Sequence, residues 1–231
     1  MQRLTTETVQ TLISKPCVLA ARSNPNSPNS VIDFWFGIDS KDVEQVKSLD
    51  SSNSERSKLW WATYAEFDSA CKDFIPVIRG VGLRDDKVWD SSLFGKFAQI
   101  LLADQLARNA FRGEAESYKY ESIGVKNALA LIDDVKVFTL PDSFLNFVGL
   151  PLMHSEEITL HDRLVAFHDE RVKRSPGSDV VKFQTDFIHD HRDVIVRFGR
   201  YPHRNKALGR KTTGEEKEWL SSPDLPGWAK A

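Results

Sequence analysis

Apolar residues recur three and four apart along most of this chain, the spacing of one helix face. Val9, Leu12 and Ile13 predict a first helix over residues 5–14, ending before Pro16. Residues 22–30, RSNPNSPNS, are turn formers throughout and read as a linker. NSVIDFWFG opens with the cap-type residues Asn29 and Ser30 and stops at Gly37, which predicts a short helix. Its Phe34, Trp35 and Phe36 are too apolar to stay in water, so it docks into a core. Leu59, Tyr64, Phe67, Cys71, Phe74 and Ile78 predict a long helix over 55–78, capped by the polar SSNSER and closed by Gly80 and Gly82. Trp89 then anchors a loop. Leu93, Phe97, Ile100 and Leu101 mark another helix over 91–111. Further helices are expected over 115–132, 141–149, 155–174, 179–198 and 213–221, with Pro141 suited to a first turn. No period-two alternation bounded by turns demands a strand, and no Asn-Gly hairpin signal occurs. The expected fold is all-α, a helical bundle or divergent solenoid of about eight to ten helices. Residues 1–30 read as an N-terminal helix and linker, and 31–231 as a single all-helical domain.

A chain of 231 residues is long enough for one sizeable core. The formal net charge of −2 excludes a uniformly basic nucleic-acid binder, so any polyanion site must be a local patch. Two cysteines, Cys17 and Cys71, cannot make a disulfide framework and suit a reducing compartment. No apolar run approaches the length that spans a bilayer, and the first residues lack a secretory hydrophobic region. The expected location is the cytoplasm, with no membrane contact.

Three polar clusters compete for the chemistry. In DQLARN, Asp104 and Arg108 stand one turn apart and share a face, with Gln105, Asn109 and Arg112 in the adjacent row. A surface ion pair there is worth only about 0.3–0.5 kcal/mol, but the apolar run before it suits a partly buried, fully bonded network. The second cluster is LPLMHSEE. Ser155 can cap the helix that follows, with Glu156 and Glu157 favoured in its first turn, which leaves His154 unexplained. The third is RFGRYPHRNKALGRKTT, residues 197–213. From His189 to Lys211 there are seven Lys or Arg against Asp190 and Asp193. Such side chains hold phosphate or carboxylate, or reach back to carboxylates of the other two clusters. Glu215, Glu216 and Glu218 belong to a final helix capped by Thr212 or Thr213. His154, His161 and His168 fall seven apart, about 10 Å of helix rise, too far to share one ion, so no metal is expected.

The ordered set VIDFWFG, LLADQLARNAFRG, LPLMHSEE and FGRYPHRNKALGRKTTGEE resembles a domain-of-unknown-function family with an all-helical, tetratricopeptide-like fold. The resemblance covers about residues 31–222; the chain departs from it in having Ala107 where the family usually has Pro and Glu121 where it usually has Asp. One branch of that family looks like the arginine-containing cyclodipeptide synthases, which take aminoacyl-tRNAs and release cyclo(Arg-Xaa) diketopiperazines. What this resemblance implies is a cofactor-free transferase, because an aminoacyl ester is already activated. Asp104, Gln105, Arg108, Asn109, Glu157, Arg204 and Asn205 would bind substrate. Arg197, Arg200, Tyr201, Lys206, Arg210 and Lys211 would hold the tRNA. His154, Ser155, Glu156 and His203 would carry the catalysis. The competing expectation is a non-catalytic helical module that binds a peptide, protein partner or anionic ligand in a polar groove.

Overall fold

The computed structural model describes residues 3–50, 55–83 and 87–230, and they contain helices, turns and no strand. Joined where contiguous, and leaving separate 3₁₀ turns aside, the helices among the described residues number twelve. Contacts divide the chain into two compact units, Met1–Arg112 with Glu116–Pro151, and Gly113–Ala115 with Leu152–Ala231.

The first unit is built on the aromatic helix Pro28–Phe36. Its cap is Ser27, whose hydroxyl accepts from the Ser30 N–H, rather than Asn29 or Ser30 themselves. Pro28 explains the shift: it fills the first helical position, where no N–H is needed. Gly37 ends the helix in the left-handed region at φ 67°, as its position predicts. Phe34 stacks on Phe67 with centroids 5.6 Å apart, and Phe36 lies 4.4 Å from Phe144, which stacks in turn on Phe97. The expected linker is shorter than 22–30. Pro16 starts a second helix, Pro16–Ser23, instead of only ending the first, and it packs against Pro28–Phe36.

The long helix expected over 55–78 is broken. Glu55–Leu59 is a 3₁₀ turn, and the α-helix begins at Ala65 and passes through a 3₁₀ turn, Lys72–Phe74, into Ile75–Arg79. Of the expected cap SSNSER, residues 51–54 lie outside the described residues. Arg56 is 2% exposed and donates to the carbonyls of Leu12 (2.9 Å), Trp35 (3.2 Å) and Phe34. It thereby satisfies orphan acceptors at the ends of Thr6–Ile13 and Pro28–Phe36, while burial pushes its pKa down to about 10.

In the second unit, Ile158–Arg174 packs along Asp179–Phe198. Ser178 caps the latter and Gly199, at φ 65°, ends it. The chain then turns through Pro202–Arg204 to the last expected helix, Gly214–Leu220. Its cap is Thr213 in a capping box: Thr213 Oγ1 accepts from the Glu216 N–H, and the Glu216 carboxylate accepts from the Thr213 N–H. No described helix is long and apolar enough to cross a membrane.

Candidate functional site

DQLARN lies in the first unit, on a helix that is not regular. Between Leu93–Ile100 and Ala107–Ala110 the segment Leu101–Leu106 winds as a π-helix. One wide turn of this kind is uncommon and often found at functional positions. It turns Asp104 inward, 1% exposed, beside Gln105 and Leu106. Gln105 Nε2 donates to Asp104 Oδ2, and Arg108 Nε donates to Asp104 Oδ1 at 3.2 Å. Arg108 also donates to Glu121 at 2.6 Å and lies over the Tyr118 ring at 5.1 Å. Burial by itself would lower the Arg108 pKa, but the Asp104 and Glu121 carboxylates outweigh it and raise it. Asn109 Nδ2 closes the row on the Gln105 carbonyl at 2.9 Å. The i,i+4 pair read from the sequence is therefore part of a partly buried network and not a surface decoration.

The second and third clusters meet in the second unit, although Glu156 and Arg210 are 54 residues apart in sequence. Arg210 grips Glu156 with two parallel bonds of 2.6 and 3.0 Å, and its other donors reach the Asn205 side chain and the Tyr201 carbonyl, both at 3.0 Å. Glu156 also accepts the Tyr201 N–H at 2.8 Å. Burial pushes the Glu156 pKa up, yet the Arg210 bonds and the Tyr201 N–H prevail and hold it below the ordinary value. Arg200 makes a second fork, on Glu216 at 2.6 and 3.0 Å. Glu216 further accepts from Asn205 at 3.1 Å and Thr213 at 2.7 Å, and its pKa falls to about 2, the Arg200 bond being the largest cause. Arg197 pairs with Glu215 at 2.9 Å in solvent.

Tyr201 is the centre of this knot and is wholly buried. Its hydroxyl donates to the Met153 carbonyl, and the Arg204 guanidinium lies 4.4 Å from its ring centroid while donating to the His154 carbonyl at 2.8 Å. Tyr201, expected from the resemblance to hold the tRNA, is thus enclosed by the chain's own groups and presents no open ring face. Arg200 and Arg210, expected to hold the tRNA, have their charges matched within the chain by Glu216 and Glu156. Ser155 is buried and its Oγ accepts the Glu157 N–H at 3.1 Å, so the helix starts two residues later than expected, with Glu157 at the cap position. Lys206, Lys211 and Glu157 are exposed.

Four histidines gather in the region of Tyr201, which helical spacing did not reveal because each comes from a different segment. His191 stacks on Trp228 at 3.9 Å, His154 lies 6.2 Å from His191, and His161 and His203 lie 6.5 and 5.6 Å from Tyr201. His161 Nε2 bonds to the Ser155 carbonyl at 2.9 Å; a carbonyl only accepts, so this nitrogen carries the proton. Burial lowers the pKa of His161 and takes that of His191 well below 6.5, with the His154 charge adding to both. Among the described residues no group of three or more His, Cys, Asp or Glu side chains is placed to hold a metal ion.

At the edge of this region is a cavity of about 460 Å³ whose polar lining is His203, Lys206, Thr212 and Lys230. Lys230 was not among the residues singled out in the sequence; a lone lysine after a Trp-Ala pair carries no pattern that would have marked it.

Fold and cavity define an all-helical protein with an ion-paired basic turn beside a cationic hollow. The chain belongs to the family described as bacterial protein of unknown function (DUF924), which matches residues 31–224. It is similar to a solved structure of a protein of unknown function from Agrobacterium tumefaciens, with 26% identity and a TM-score of 0.62, covering 78% of this chain and 99% of that one. No curated protein matches it.

Proposed function

We propose that this chain is an aminoacyl-tRNA-dependent cyclodipeptide synthase joining arginine and a second amino acid into a cyclo(Arg-Xaa) diketopiperazine. The observation that carries this reading is the folding of the LPLMHSEE motif onto the basic turn, which puts His154, Glu157, His203 and Lys206 in one unit. The reaction would form two amide bonds and break two esters. Each α-amine attacks the other ester carbonyl, each tRNA leaves as its 3′-hydroxyl, and the amine protons pass to the departing oxygens. His154 or His203 would relay those protons, and alignment of amine and ester would supply much of the rate. Glu157 is the exposed carboxylate for a substrate guanidinium, since Glu156 is occupied by Arg210. Lys206 and Lys211 replace the paired arginines as the phosphate-facing cations. The Ser155 hydroxyl is used at the helix start, which favours direct attack over an acyl-enzyme.

The test is expression in a heterologous host with mass spectrometry of the extract. An arginine-containing diketopiperazine is expected from the wild type, at a much reduced level with Glu157→Gln. Soluble wild-type protein without any such product would sink the proposal. A non-catalytic binding module is the second reading, favoured by the complete pairing of Arg200 and Arg210 within the chain; it predicts no product from either form.

A further inference from the structure

The cavity in the second unit has features that the ion-paired turn beside it lacks. Arg197, Arg200 and Arg210 each have a carboxylate within 3.0 Å. Lys206 and Lys230, both lining the cavity, are exposed and no described carboxylate pairs with either. Among the described residues no acidic side chain lines the cavity. An anion entering this hollow would meet two ammonium groups on its lining. Thr212 adds a directed donor. Its oxygen accepts from Asn205 Nδ2 at 3.4 Å, which leaves the hydroxyl proton to give away. Asn205 is itself buried and held by Glu216 and Arg210, so the orientation is fixed. Apart from His203, the remaining walls are Pro202, Leu220, Leu225 and Ala229. They are apolar and give a bare phosphate nothing to bind, and about 460 Å³ is the size of a small organic molecule.

We infer that this cavity binds a small organic anion, its carboxylate or phosphate head between Lys206 and Lys230 and its apolar body against Leu220 and Leu225. The inference goes beyond the synthase reading and does not rest on it, because it concerns binding of a free small molecule and is read without turnover.

Isothermal titration of the full chain with benzoate, phenyl phosphate, inorganic phosphate and benzyl alcohol tests it. At least one aromatic anion saturates the site, at an affinity about tenfold or more above those of benzyl alcohol and inorganic phosphate. Whichever of the two binds identifies the head group. Lys206→Ala and Lys230→Ala each weaken it about tenfold, while Lys217→Ala, on the exposed side of the last helix, does not. All three positions are exposed, so the variants keep the fold, which circular dichroism checks. Failure of both anions to saturate, equal binding of benzyl alcohol or inorganic phosphate, or wild-type affinity in both cavity variants overturns the inference. Diketopiperazine production with an empty cavity would leave the synthase standing and this site refuted; binding without product would do the reverse.

Discussion

Removing one charge from Glu216 tests whether the basic turn is held by its own carboxylates. In Glu216→Gln the shape is kept, and an amide oxygen in the position of Oε2 still accepts from Asn205 and Thr213, so the capping box largely survives. What is lost is the forked pair with Arg200. The depression of the Glu216 pKa from 4.5 to about 2 corresponds to roughly 3 kcal/mol at 1.4 kcal/mol per unit. Glu216 is nearly enclosed, 3% exposed, but Arg200 is 29% exposed and regains water when its partner is neutral. Part of that depression comes from the Thr213 and Asn205 bonds, which survive, and rehydration of Arg200 screens the rest, so the loss is about 1 kcal/mol. The direction with pH follows. A carboxyl whose folded pKa is depressed stabilises the fold fully above its unfolded value, and the contribution disappears as pH falls from about 4.5 toward 2. Urea unfolding at neutral pH, with hydrogen exchange followed over residues 199–216, is the assay. The variant should unfold earlier, exchange faster in that segment, and approach the wild type as the solution is acidified. A change below about 0.5 kcal/mol, or a gap that widens in acid, would refute the reasoning.

Two further perturbations reach other parts of the chain. A Cβ at Gly95 would sit 2.6 Å from the Val88 carbonyl oxygen and closer still to that of Trp89, so Gly95→Ala should lower the melting temperature. The backbone clash, about 1–3 kcal/mol, outweighs the roughly 1 kcal/mol gain in helix propensity; a raised melting temperature would contradict it. His161, His168 and His191 all have pKa values lowered by burial, so the unfolded chain takes up protons that the fold refuses. Stability should fall as pH drops below about 6.5, and His191→Gln should flatten that slope; an unchanged slope counts against burial as its cause.

Nine of the helices were legible from apolar spacing and caps, and the three that were not each lack one signal. Pro16 reads as a stop when it also starts Pro16–Ser23. Val43–Ser48 buries no residue and so has no stripe to detect. Lys87–Asp90 is a single turn. Thr213 and the Glu216 three residues on were readable because a capping box is local. The π-turn was not: Leu101–Leu106 has the composition of an ordinary helix, and the widening depends on packing. The polar character of DQLARN, HSEE and the basic turn was visible, and so was the option that guanidiniums reach back to carboxylates. Which arginine takes which glutamate was not, since Glu156 and Arg210 meet only through the fold. The same is true of His161, His191 and His203, whose common neighbour Tyr201 is set by how the chain returns after Gly199.

The pairing of Arg200 with Glu216 and of Arg197 with Glu215 also means that the strongly basic look of residues 197–211 belongs to the printed letters more than to the folded molecule. A stop codon placed just before Gly214 would delete both acids and release those two guanidiniums together. Overall charge in the shortened product would stay close to neutral, but this one turn would offer unmatched cations to RNA and other polyanions, whatever the intact protein binds.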